Sequence, residues 1–289
     1  MEEIKNEWFE EIFIRENPMV PMVEIVEKVN CPSCGAPLGI KAGEIVVTCE
    51  YCGTAVNLKA ERSFVLRHSI IPNKYSREEI EKLVRSWMRS GFAMPESVAR
   101  KARFEQVRLV HLPFYVVTAH AVTKYQGVFT RTGSPRDVED TIAKDYQWTV
   151  LGRRVAEFPE REYKIPLSGK SSFDLSLVQG EFLNAELDEG DAEEKGRAEI
   201  EFHQNYLAKE KADHITESVT TIDVKDCEFL HAPVWFIDYE YNGKVYHVVM
   251  DGSTGEVIKG DIPVEESKFP WVWVLAIVVV FLVLLVIVL

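Results

Sequence analysis

What this chain lacks narrows it first. It has no cluster of lysine or arginine: 33 basic side chains face 46 acidic ones, for a net charge of −13. Nucleic-acid binding needs concentrated positive charge against phosphates, and this composition does not supply it. Its N-terminus, MEEIKNEWFEEIF, is acidic and has no basic stretch followed by an apolar core, so it does not read as a secretory signal. No phosphate loop, nucleophile elbow or zinc-protease motif occurs, and no carboxylates fall at the spacing of a calcium loop. The sequence therefore offers no catalytic residues, and a non-enzyme is expected. What the chain does have is hydrophobic substance. With 289 residues and 46% hydrophobic side chains it can bury the cores of two modest domains, which excludes a fully disordered chain.

Cysteine is scarce, five in all, yet four of the five form two C-x-x-C pairs, Cys31 with Cys34 and Cys49 with Cys52. Without an export signal the chain is expected in the reducing cytoplasm, where such pairs read as metal ligands rather than disulfides. Four thiolates close a tetrahedral shell, which suits one structural zinc ion and leaves no open position for catalysis. Iron fits the same thiolate shell. A glycine follows each pair, Gly35 and Gly53, where a left-handed turn can aim backbone N–H groups at the sulfurs. The unit reads as a zinc ribbon built on two knuckles. Its charged side chains between Asn30 and Ala60 are Lys41, Glu44, Glu50 and Lys59, which cancel. A neutral ribbon in an acidic chain points to a protein partner. Cys227 lies in the strand-like CEFLHAPVWFI and reads as a small buried residue.

From Trp271 to Leu289 runs an uninterrupted apolar stretch, WVWVLAIVVVFLVLLVIVL. At the helical rise it spans roughly 28 Å, close to the hydrocarbon thickness of a bilayer. Trp271 and Trp273 sit where an interfacial aromatic belt would, with Lys268 flanking them. The expectation is a single-pass, tail-anchored protein with its folded part in the cytoplasm and residues 271–289 in the lipid.

Between ribbon and anchor the pattern is α+β. Residues 1–29 carry an amphipathic helix, with Ile4, Trp8, Phe9, Ile12 and Phe13 at helical spacing, and a linker; the ribbon occupies 30–60. SREEIEKLVRSWMRSG opens with Ser76 and Glu79 in capping-box spacing and places Ile80, Leu83, Val84, Trp87 and Met88 on one stripe. VRLVHLPFYVV near residue 110 aligns with CEFLHAPVWFI near residue 230 at an offset of 120, matching His111 with His231 and Pro113 with Pro233. This suggests two related α+β units, 61–150 and 151–265, before a juxtamembrane segment and span at 266–289. AEIEFHQNYLAKE is the expected counterpart of the first helix. YNGK supplies a type I′ hairpin turn, and DGSTGEV a turn into a last strand. The acidic stretch 184–201 reads as a solvated loop running into a helix face. His111 and His231, in strand-like contexts near prolines, read as structural, holding backbone at a strand bend.

The order of ribbon, helix, PFY or PVW strand, YNGKVY, DGSTGEV and apolar run resembles a set of uncharacterised prokaryotic membrane proteins with an N-terminal zinc ribbon. Some of these are labelled primosomal or helicase-like because of the ribbon. The resemblance implies a membrane-anchored ribbon protein and brings no established activity, and this chain has no nucleotide-binding loop to support a helicase label. The expected function is a cytoplasm-facing protein-binding adaptor or scaffold. The alternative is a membrane-tethered regulator that binds nucleic acid through its ribbon, which the charge balance disfavours.

Overall fold

The computed structural model describes residues 29–59, 64–90, 95, 97–131, 133–159 and 163–263. The amphipathic stretch at residues 1–16 and the apolar run 271–289, with Lys268, Trp271 and Trp273, lie outside them. Among the described residues no helix is long and apolar enough to cross a membrane.

The chain is α+β, with few helices and one large mixed sheet. Three short strands, β1 (Val46–Thr48), β2 (Ala55–Asn57) and β3 (Phe64–Leu66), make an antiparallel sheet that carries the cysteines. There follow β4 (His68–Ile70), α1 (Arg77–Ser90), the short α2 (Val98–Lys101), and the long strands β5 (Arg103–Phe129) and β6 (Arg136–Leu151). Then come β7 (Ser171–Ser172), β8 (Glu181–Phe182), α3 (Glu189–Lys211), β9 (His214–Tyr241), β10 (Lys244–Asp251) and β11 (Val257–Gly260). All strands from β4 onward join a single eight-stranded sheet.

Its spine is the antiparallel pair β5 and β9, which runs from Arg103 opposite Glu240 to Val128 opposite His214 with register shifts at Phe104/Gln106, Thr118/Ala119 and Gln126/Gly127. The burial along β5 explains its sequence. Leu109 to Val117 is buried without a break, since both faces of the sheet are covered there, and the residues are nearly all apolar. Beyond Val117 only every second residue is buried, namely Ala119, Ala121, Thr123, Tyr125 and Gly127, because α3 covers one face and water the other.

Both longer helices start on side-chain caps. In α1 the Ser76 N–H donates to Glu79 Oε2 at 2.8 Å and the Glu79 N–H donates to Ser76 Oγ at 3.3 Å, the reciprocal capping box its sequence predicts. Its buried residues are Ile80, Val84 and Met88, from the expected stripe. In α3, Asp188 accepts the Asp191 N–H at 2.8 Å. That helix begins about nine residues before the expected counterpart segment, so most of the acidic stretch is helical. Its buried line is Ala192, Gly196, Ile200, Gln204 and Ala208, which carries little apolar signal. Small residues are needed because the helix lies close on β5: a Cβ on Gly196 would sit 2.8 Å from Val117 Cγ2. The hairpin at Asn242 and Gly243 has φ of 53° and 76°, as a type I′ turn requires.

The two halves repeat one hydrogen-bond scheme about a pseudo-twofold axis. Leu112 faces Ala232, and around them His111 faces Pro233 while Pro113 faces His231. Gly152 N–H donates to the Pro113 carbonyl at 2.8 Å, and Gly252 N–H donates to the Pro233 carbonyl at 2.8 Å. Glu186 N–H reaches the Gly152 carbonyl at 2.8 Å, and Lys74 N–H the Gly252 carbonyl at 2.9 Å. Strand β8 runs parallel to β5 at Val110 and His111, as β4 does to β9 at Phe229 to His231. The long strands correspond at an offset of 120, whereas the short strands and helix starts correspond at 112, Arg77 with Glu189 (189 − 77 = 112).

Candidate metal centre

Each C-x-x-C pair folds into the same tight knuckle. The Gly35 N–H donates to the Cys31 carbonyl at 2.8 Å and the Cys31 N–H to the Ala36 carbonyl at 2.7 Å. In the second knuckle, Gly53 N–H donates to the Cys49 carbonyl and Cys49 N–H to the Thr54 carbonyl, both at 2.9 Å. Closing the loop this way needs positive φ, and Gly35 and Gly53 take 76° and 74°. The knuckles face each other and bring all four sulfurs within 4.8 Å of one another.

The spacing discriminates between chemistries. Cys31 Sγ lies 3.7 Å from Cys52 Sγ, and Cys34 Sγ lies 3.7 Å from Cys49 Sγ. A disulfide would need about 2.05 Å. Four sulfurs at about 2.3 Å from a tetrahedral ion stand about 3.8 Å apart, which these separations match. Cys31 and Cys49 are buried while Cys34 and Cys52 reach the surface.

The sulfurs do not share one electrostatic setting. The Thr54 hydroxyl, then its N–H, holds the Cys52 thiol down to about 6. At Cys34 the Ala36 N–H favours the thiolate, but desolvation and the three neighbouring sulfurs outweigh it and push that thiol up to about 12. A cation at the centre removes this conflict, since it favours all four thiolates together. The described residues thus bring together all four expected ligands.

The centre is built into the body rather than hung from it. Ile45 and Val46 N–H both donate to the Ala185 carbonyl, at 2.8 and 3.1 Å, and Ala185 N–H returns to the Val46 carbonyl at 3.0 Å. Asn184 Oδ1 accepts the Thr48 N–H at 2.9 Å, and its Nδ2 donates to Glu44 at 3.1 Å. Lys59 pairs with Asp188 and Asp191 at the start of α3. Val46 and Ala55 share an apolar cluster with Tyr115, Val117, Ala185 and Phe229. Strand β3, beyond residue 60, completes the ribbon's sheet.

No family model, curated protein or solved structure matches this chain. The chemistry has to be read from its own residues.

Against the ribbon lies a group that the sequence did not single out as a unit. His68 Nε2 meets His231 Nδ1 at 2.7 Å, and His231 Nε2 meets the Leu183 carbonyl at 2.9 Å. Phe173 stacks on His68 and also fills the space beside Gly53 of the second knuckle. Phe182 stacks on His231. Burial pushes all three nearby histidines toward the neutral form, His68 to about 3, His111 to about 4 and His231 well below its usual value. His231 holds backbone as expected. The Gln179 and Glu181 carbonyls face the His111 ring without reaching hydrogen-bond geometry. His111 and His231 sit at the pseudo-twofold axis, sealed from solvent, while His68 beside them is half-buried. The half-buried Cys227 has its thiol pushed up to about 12 by burial. His68 was the missing member, and its partner lies 163 residues away.

Proposed function

We propose that this chain is a membrane-anchored adaptor: a ribbon holding one structural zinc ion, presented to a protein partner from a body that the apolar run 271–289 fixes at a bilayer. One observation carries the reading. One edge of the ribbon is occupied by Ala185 and Asn184, while the knuckle tips point outward, with Tyr51 68% exposed between Cys49 and Cys52. An exposed tyrosine on a metal-stiffened loop presents contact area at small entropic cost, the profile of an interface anchor. Zinc, or iron in its place, is favoured over ions that prefer oxygen ligands because four thiolates and no oxygen or imidazole make up the shell. The cytoplasmic side is favoured because free thiols persist there.

The test compares full-length protein with Tyr51→Glu in native membranes solubilised in mild detergent, reading co-purified proteins quantitatively. The reading expects a specific subset to fall at least ten-fold with metal content unchanged. Identical recovery would remove the knuckle tip as the binding element.

A further inference from the structure

A net charge of −13 hides one cationic end. From Lys82 to Arg103 the chain carries six basic side chains and one acid, Glu96, which lies outside the described residues. Only Arg100 and Lys101 are adjacent in sequence, so no basic run marks the group, and the fold gathers it. Lys82, Arg85 and Arg89 follow one side of α1 at helical spacing. Arg85 ties that side to α2, donating to the Ala99 and Ala102 carbonyls at 2.6 and 3.2 Å. Arg100 and Lys101 end α2. The Ser97 and Tyr241 hydroxyls, 2.6 Å apart, hold α2 against the hairpin between β9 and β10, where Lys244 stands.

Most acids near this end belong to the other face of the sheet. Phe104, Ile237, Tyr239 and Tyr241 pack with Ile80, Val84 and Met88 of α1. Strand alternation therefore turns Asp238 and Glu240 away from the helices. On that far face Arg103 stands opposite Glu240, and His247 Nδ1 lies 2.8 Å from Asp238. The acids of α1 occupy its first turns, where Glu81 pairs with Arg77. Arg89, Arg100, Lys101 and Lys244 are exposed and, among the described residues, make no ion pair. The described acid nearest to them in the chain is Glu105, at the β5 register shift.

The chain leaves the body at this same end. Gly260 lies against Trp87, between Arg85 and Arg89, where a Cβ would come within 2.4 Å of the indole ring. Beyond it the Asp261 N–H donates to the His247 carbonyl at 2.8 Å, and the Asp261 carbonyl accepts from the Tyr239 hydroxyl at 2.8 Å. Ile262 at this exit and Val245 beside Lys244 are apolar yet 38% and 55% exposed. Seven residues separate Pro263 from Trp271, a reach of at most about 25–30 Å.

We propose that this end is a bilayer-facing surface that binds anionic lipid headgroups. Arg89, Arg100, Lys101 and Lys244 meet the phosphates, and Val245 and Ile262 enter the interface. This rests on the anchor proposed for residues 271–289. Several cations beside a span hold an anionic leaflet, and a guanidinium matches two phosphate oxygens at once. The contact also orients the body. The ribbon packs beside Tyr115 and Val117, about 40 Å farther along β5 than Arg103, so it is held off the lipid and toward its partner.

Full-length protein is placed in nanodiscs of phosphatidylcholine, or of phosphatidylcholine and phosphatidylglycerol in equal parts. Lysine acetylation by a neutral reagent is then read by mass spectrometry. Co-elution with phosphatidylcholine discs reports the anchor by itself, so its failure is separate from failure of this surface. Anionic discs are expected to slow acetylation of Lys101 and Lys244 by about five-fold or more, and of Lys41 and Lys209 not at all. Salt at about 1 M should restore the rates, since it screens exposed charges beyond about 3 Å. Arg89→Gln combined with Arg100→Gln should lose at least half of the protection at an unchanged melting temperature. Equal rates in the two discs, or slowing spread evenly over all four lysines, would overturn the proposal. So would protection of Lys101 and Lys244 by RNA in phosphatidylcholine discs without protection by phosphatidylglycerol, which would assign the surface to nucleic acid.

Discussion

Metal loss should be felt beyond the ribbon, at Ala185. The ribbon's core, Cys31, Leu38, Val47, Cys49 and Val56, is too small to hold itself without the ion. Once it loosens, the three backbone bonds between Ala185 and residues 45 and 46 lose their partner. At about 0.5–1.5 kcal/mol net per bond, the seam loses about 1.5–4.5 kcal/mol. With a factor of ten for each 1.4 kcal/mol, exchange protection of the Ala185 amide should fall by about 10- to 1000-fold. The assay is amide hydrogen exchange on full-length protein, before and after a chelator, with metal content measured on the same sample. The Tyr115 amide, in the centre of β5, is the internal control and should keep its protection. If Ala185 stayed protected while Val47 and Val56 exchanged freely, the seam would not depend on the metal and the coupling argued here would be wrong.

Acid should destabilise the fold through its buried histidines. Their folded values lie below the unfolded one near 6.5, so the unfolded chain binds more protons and stability is lost as pH falls from about 6.5 toward about 4 for His111 and about 3 for His68. Each contributes at most about 1.4 kcal/mol per pH unit, and melting temperature against pH should be flatter in His111→Leu. Gly127→Ala should cost about 1–3 kcal/mol in a denaturant titration, because its Cβ would meet the His214 carbonyl oxygen at 2.3 Å, which is backbone and cannot swing aside. Removing residues 268–289 should release the protein from membranes into the soluble fraction, and retention at the membrane would contradict the anchor. With 33 basic against 46 acidic side chains, the same soluble form should not bind DNA or RNA below micromolar at physiological salt; a fluorescence titration with a steep salt slope would favour the nucleic-acid regulator instead.

Legibility followed the range of the interactions. The knuckles, the α1 capping box and the Asn242–Gly243 turn are settled by neighbours a few residues apart, and each is as its local pattern predicts. The first half of α3 was hidden because its buried line is Ala192 and Gly196, chosen for closeness to Val117 rather than for hydrophobicity. The repeat was visible in the long strands at an offset of 120, but the helices follow 112, so aligning the whole unit on one offset placed the second helix too late. The ribbon's seam was invisible for another reason. It runs through the backbone of Ala185 and the amide of Asn184, 136 residues from Thr48, and nothing in either residue type announces a docking role.

The central claim is that Cys31, Cys34, Cys49 and Cys52 hold one ion. Elemental analysis of the purified full-length chain, paired with thiol counting under denaturing conditions, tests it directly. The account predicts one zinc, or iron in its place, per chain, with all five cysteines reduced, and loss of that metal in Cys49→Ser. A metal-free protein with Cys31 to Cys52 recovered as disulfides would contradict it.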